Sequence, residues 1–174
     1  INIMEITFRT KEGQKAIEIV AKERPHILVG AGTVTTVEQV EAAVAAGAKF
    51  VVSPGFDADV VKSCLDHNVI PLPGCVTPSE IMQGLKFNLE VFKFFPASVY
   101  GGINAIKNLS GPFGKIKFLP TGGVSADNLK DYLSLPQVFA CGGSWMVKSN
   151  LIEEKRFDEI TKLAKEAVEI SKSI

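Results

Sequence analysis

Lys93 stands in the middle of Val91-Phe92-Lys93-Phe94-Phe95-Pro96, a short aromatic and β-branched run that reads as a strand. Side chains alternate along a strand, so Lys93 shares a face with Val91 and Phe95, while Phe92 and Phe94 take the other. An ammonium ion set among aromatic rings is costly to bury, and its pKa should fall. An amine that is partly neutral near pH 7 attacks ketones and forms a Schiff base. The plain alternative is a lysine on a sheet edge, or one whose long stem carries the charge out to water. Lys117 is a weaker rival, because it opens its strand rather than sitting within it. Glu5 is the second candidate. In the run Ile3–Arg9 one face holds Ile3, Glu5, Thr7 and Arg9, and the other holds Met4, Ile6 and Phe8. A carboxylate near a neutral amine accepts and returns protons when substrate or water lies between them. A structural ion pair of Glu5 with Lys93 or Arg9 is the equally simple reading. Arg9, at the end of its run, suits bidentate binding of a carboxylate, or else is a solvated strand-end arginine.

Two glycine pairs suit an anion. Gly122-Gly123 follows the run Ile116–Thr121, and Gly142-Gly143-Ser144 follows Val138–Gly142. Glycines let backbone N–H groups approach a phosphate, and Ser144 adds a hydroxyl; loops of this kind after the last two strands of a (β/α)8 barrel recur as phosphate sites. Glycines also make tight turns, so either pair alone says little. Gly30-Ala31-Gly32-Thr33 lacks the third glycine of a dinucleotide turn, and that reading is set aside. His26 and His67 stand alone, and no His, Cys, Asp or Glu spacing fits a metal site. Neither a metal nor a cofactor is expected. Trp145 and Met146 read as packing under the last helix.

These residues must be held by a repeating framework. Seven short runs read as strands: Ile3–Phe8, Ile27–Gly32, Phe50–Pro54, Val69–Pro73, Val91–Pro96, Ile116–Thr121 and Val138–Gly142. Their starts fall 19–25 residues apart, the size of one strand–helix unit. Helical periodicity marks Lys11–Glu23, Val37–Ala46, Asp57–Asp66, Pro78–Leu85, Ser125–Leu133 and Arg156–Ser171. Thr77 and Glu80 form a capping box with Pro78 at the first helical position, and Ser125 caps its helix. Strands alternating with helices pair in parallel. Strands apolar on one face and mixed on the other favour a (β/α)8 TIM barrel over a doubly wound sheet, whose strands are covered on both sides. Seven runs are one short of a barrel, so a first strand–helix unit of about 40 residues is expected ahead of Ile1. On this reading residues 1–174 are one domain: strands two to eight of the barrel and a C-terminal helix.

Composition excludes some partners. Lys plus Arg and Asp plus Glu are 19 each, so the formal charge is zero and no basic face for nucleic acid is indicated. No apolar run is long enough for a membrane span, and no signal peptide is visible. The apolar fraction of 46% suffices for a packed core. Cys64, Cys75 and Cys141 are scattered among apolar residues, which fits a reduced cytoplasmic compartment.

The segments Glu5-Ile6-Thr7-Phe8-Arg9-Thr10, Gly30-Ala31-Gly32-Thr33-Val34, Val52-Ser53-Pro54-Gly55, Pro73-Gly74-Cys75-Val76-Thr77-Pro78-Ser79-Glu80, Lys93-Phe94-Phe95-Pro96-Ala97, Pro120-Thr121-Gly122-Gly123 and Gly142-Gly143-Ser144-Trp145-Met146 occur in order. Together they resemble the 2-keto-3-deoxy-6-phosphogluconate (KDPG) and 4-hydroxy-2-oxoglutarate (KHG) aldolases across essentially the whole chain. The resemblance implies a metal-free class I aldolase of the Entner–Doudoroff cleavage on a (β/α)8 barrel, acting on a 2-keto acid or phosphosugar acid, cytoplasmic and homotrimeric. It assigns Lys93 to the Schiff base and Glu5 to proton transfer. It gives Arg9 and Thr33 to the pyruvate carboxylate and Pro54 and Phe95 to the pocket lining. Thr121, Gly122, Gly123, Gly143 and Ser144 fall at the phosphate end. One position departs: many members carry a glutamate where this chain has Ser98, which lies beyond the strand and touches substrate preference or loop packing rather than the chemistry. Other phosphate-binding barrels, such as a thiamin phosphate synthase-like transferase or a phosphosugar isomerase, use similar glycine loops, as would a silent phosphometabolite-binding protein. Neither needs the strand lysine.

Overall fold

Strands and helices alternate throughout the computed structural model, which describes residues 1–174. The chain resolves into two compact units, Asn2–Lys93 and Phe94–Ile174, the latter with Ile1.

In Asn2–Lys93 the elements are β1 (Ile3–Thr7), α1 (Glu12–Glu23), β2 (Leu28–Gly32), α2 (Val37–Ala45), β3 (Phe50–Val52), α3 (Ala58–Asp66), β4 (Ile70–Leu72), α4 (Pro78–Leu85) and the start of β5 (Val91–Phe94). Strands β1 to β4 form one parallel sheet in sequential order. A parallel bridge between Gly74 and Lys93 carries the pattern on to β5. Neighbours in sequence are neighbours in the sheet, with no reversal. That is the strand order of a (β/α)8 barrel; a doubly wound sheet reverses its strand order midway.

Alternation sorts the strand residues into two faces. Val29, Ala31 and Val51 point to the helices and join Ile17, Val34, Val40, Ala43, Val60 and Cys64 in a buried cluster, with Ile6 and Phe8 packed against it. Fully burying a side chain such as Ile17 or Val40 contributes about 1.5–3 kcal/mol. Phe92 is likewise on the helix side: its ring fills the space that a Cβ on Gly84 of α4 would need. The opposite face therefore carries Glu5, Gly30, Gly32, Phe50 and Lys93. Several helix starts are capped by side chains. Asp57 caps α3 through Oδ1, accepting from Val60 N at 2.9 Å. The Thr77–Glu80 capping box is present, with Thr77 N donating to Glu80 Oε2 at 2.8 Å.

In Phe94–Ile174 the elements are α5 (Gly102–Ser110), β6 (Lys117–Pro120), α6 (Ala126–Leu133), α7 (Ser149–Glu153) and α8 (Phe157–Lys172), with 3-10 turns at Gly111–Phe113 and Trp145–Val147. Phe94 and Phe118 pack edge to face at 5.8 Å. The expected strand Val138–Gly142 is corrected: it is reduced to two parallel bridges, Phe118 with Val138 and Thr121 with Gly142. Phe139 N donates to Phe118 O at 2.8 Å and Gly142 N to Pro120 O at 3.0 Å. The segment follows β6, but Phe139 turns its ring to solvent, 63% exposed, and the ladder breaks in the middle. Lys117 donates to the carbonyl of Pro136, a structural use that fits its place at a strand start. No helix is long and apolar enough to cross a membrane.

Candidate active site

Lys93 is 6% exposed although it is a lysine. Its backbone is held on both sides: Lys93 N donates to Pro73 O at 2.9 Å, and Cys75 N donates to Lys93 O at 2.9 Å. With Phe92 turned toward α4, Lys93 must face the other way, the same way as Glu5. Burial holds the Lys93 amine below the usual lysine range; the Glu5 charge pushes it back up and the Arg9 charge pushes it down. Glu5 and Arg9 thus act electrostatically on the amine from the first strand and its end. Desolvation is the largest of the three effects, which is the condition for a neutral, nucleophilic amine.

Arg9 and Thr33 come together: Arg9 Nε donates to Thr33 Oγ1 at 3.4 Å. Thr33 has φ +58°, a left-handed backbone that is costly for a β-branched residue. Strain of this kind persists where the surroundings over-determine it, and it concentrates at functional sites. Pro54 is exposed, and its carbonyl crowds Gly74 so closely that a Cβ there would overlap it. Because the obstacle is backbone, it cannot swing aside. Gly74→Ala is expected to cost about 1–3 kcal/mol, read as a lower denaturation midpoint with an unchanged slope.

In Phe94–Ile174 the glycine pairs lie on a set of backbone bonds. Thr121 N donates to Phe94 O at 3.0 Å, Ala97 N to Thr121 O at 2.8 Å and Ser98 N to Gly122 O at 3.1 Å. Gly122 and Gly123 both have φ +82°, so glycine is required by conformation as well as by space. A Cβ on Gly122 would meet Pro96 and Phe95, and one on Gly123 would meet Ser98. Thr121 is buried and its Oγ1 has no hydrogen-bond partner; its methyl fills the space beside Gly142. Gly143 is packed against the Trp145 ring, and Gly143 and Ser144 are exposed. Trp145 lines a cavity of about 410 Å³ with Leu151 and Leu163.

Pattern reading overlooks Asn128. Its Nδ2 donates to Gly123 O at 2.9 Å, and its Oδ1 accepts from Ser125 N at 2.9 Å, so it ties the glycine turn to the start of α6. The signal was present as the Ser125–Asn128 spacing, which reads only as a helix cap. All three thiols are pushed up by burial, Cys64 to about 11, Cys75 to about 12 and Cys141 to about 12. None is a thiolate nucleophile near neutrality.

The family model for KDPG and KHG aldolase matches residues 1–163. The 2-dehydro-3-deoxy-phosphogluconate aldolase of Dickeya dadantii is 45% identical over 168 residues, 97% of this chain and 79% of the relative. A KDPG aldolase from Legionella pneumophila, solved with pyruvate captured at low pH as a covalent carbinolamine intermediate, superposes with a TM-score of 0.90 at 41% identity, covering 94% of this chain and 79% of that one. The 2-keto-3-deoxy-6-phosphogluconate aldolase of Zymomonas mobilis, solved with 3-phosphoglycerate, gives 0.87 at 39% identity over 95% of this chain and 78% of that one. The fold is the TIM-barrel-like α/β fold of these carbon–carbon lyases. The chain belongs to the KDPG and KHG aldolase family.

Proposed function

We propose that this chain is a class I aldolase that cleaves KDPG to pyruvate and glyceraldehyde 3-phosphate, with KHG cleavage to pyruvate and glyoxylate as a second activity. The observation that carries the reading is the burial of Lys93 with its amine held below the lysine range and within reach of the Glu5 and Arg9 charges. Relatives named for this reaction, and one caught with pyruvate as a carbinolamine, support it.

Neutral Lys93 attacks the C2 ketone, giving a carbinolamine that loses water to an iminium. Glu5, through a water, takes the proton of the C4 hydroxyl. The C3–C4 bond breaks, its electron pair flows to the iminium nitrogen, and glyceraldehyde 3-phosphate departs. Glu5 returns the proton to C3 of the enamine, and hydrolysis of the new iminium frees pyruvate and Lys93. Division of one cleavage into several steps is what covalent catalysis supplies. Arg9 and Thr33 hold the carboxylate, with Pro54 and Phe95 beside the substrate. Thr121, Gly122, Gly123, Gly143 and Ser144 bind the phosphate. We extend the proposal to a single domain over residues 1–174, a homotrimer, a cytoplasmic location and a place in the Entner–Doudoroff cleavage, all of which rest on the family resemblance.

The test is reduction of the pyruvate-soaked protein with borohydride, followed by peptide mass spectrometry. A stable adduct on Lys93 is expected. An adduct on another lysine, or none at all, would overturn the assignment.

A further inference from the structure

Strand β2 places two glycines, Gly30 and Gly32, on the face that also carries Lys93. Neither has a left-handed backbone, so conformation does not require glycine at these positions. Space does, for two different reasons. At Gly30 the volume of a Cβ is taken by the ring of Phe50. At Gly32 it is taken by the side chain of Glu5: an added Cβ would lie 2.6 Å from Cδ and 2.7 Å from Cγ, and would overlap Oε1. Glu5 is in register with Gly30, so its side chain leans along the strand direction, over the next inward position. The bare backbone of Gly32 is the surface on which the carboxyl group rests.

We propose that Gly32 is a positioning residue that seats the Glu5 carboxylate for proton transfer, by leaving empty the one volume the carboxyl group occupies. The inference rests on the proton-transfer role proposed for Glu5. Because the atoms in the way are the end of a flexible side chain, a methyl group at residue 32 moves the carboxylate and leaves the strand in place. A displacement of about an ångström at a reacting group costs roughly 100-fold in rate.

Exchange of the pyruvate methyl hydrogens in deuterium oxide isolates this step. The Lys93 iminium gives up a C3 proton to Glu5, forms the enamine, and takes back a deuteron. In Gly32→Ala the exchange rate and kcat should both fall about 10- to 100-fold. Borohydride trapping of the Lys93 adduct should stay at the wild-type yield, and KM should change little. Glu5→Ala removes Cγ, Cδ and Oε1 together. In that background Gly32→Ala should therefore change neither the residual exchange nor the melting temperature, a full coupling of the two sites. If Gly32→Ala alone does not fold, the double variant should fold and melt with Glu5→Ala. Exchange in Gly32→Ala within twofold of wild type, or an equal loss in both backgrounds, or a double variant that also fails to fold, overturns the positioning role. Glu5→Gln serves as the separate control: wild-type exchange in that variant removes the role of Glu5 itself, and this inference with it.

Discussion

Replacing Lys93 with methionine is expected to abolish turnover and the borohydride-trapped pyruvate adduct together, a loss on the order of 10⁶-fold, the scale seen when a covalent nucleophile is removed. Methionine keeps an unbranched chain of similar length, so the surroundings at this buried position are preserved. The same variant has a thermodynamic signature. The folded-state pKa of Lys93 lies below its ordinary value of 10.5. Between those two values the unfolded chain binds a proton that the folded chain does not. Stability contributed by this group therefore rises with pH across that interval, and the full cost of a buried charge is present below it. Lys93→Met has no such titration. Its melting temperature should exceed that of wild type at neutral pH, and the difference should shrink as pH approaches 10.5. A difference that is constant with pH would show that the amine is not charged at a cost in the folded protein. The rate of adduct formation in wild type should rise with pH through the depressed pKa, because only the neutral amine attacks.

Glu5→Gln should leave the Lys93 adduct intact and lower kcat by about 10²–10⁴-fold, the usual contribution of a positioned acid or base. It should also move the amine. The Glu5 charge raises the Lys93 pKa, so neutralising it lets burial and Arg9 act unopposed. The low-pH limb of adduct formation is then expected to shift to lower pH in Glu5→Gln, and to higher pH in Arg9→Met. Stopped-flow trapping across a pH series checks both. Shifts in the opposite directions would mean that the three charges are not arranged as described.

Much of this site was legible in the residues. Lys93 beside Phe92 reads as inward because period-two alternation leaves no other choice once the Phe92 ring packs on α4. The Thr77–Glu80 box carries local hydrogen-bond logic that survives folding unchanged. Other parts were hidden for physical reasons. Helix α5 follows an N-cap Gly101 with φ +91° and has no side-chain cap, so no capping side chain marks its start in the sequence. Val138–Gly142 has strand-like residues, but its ladder depends on whether Phe139 finds a pocket, and it does not. The left-handed backbone of Thr33 falls on a residue type that local preference places there last. The role of Gly32 depends on where a side chain from another strand comes to rest, which spacing alone does not reveal.

The buried sulfurs have a practical consequence. With Cys64, Cys75 and Cys141 held as thiols up to pH values near 11 or 12, the protein presents no ionised sulfur to an electrophile at pH 7. Aldehyde or activated-ester warheads aimed at the perturbed amine meet no thiolate competitor, and mild oxidants find little to convert to sulfenic acid. Covalent inhibitor design against this protein can therefore be directed at a lysine, where most such chemistry has to contend with cysteine first.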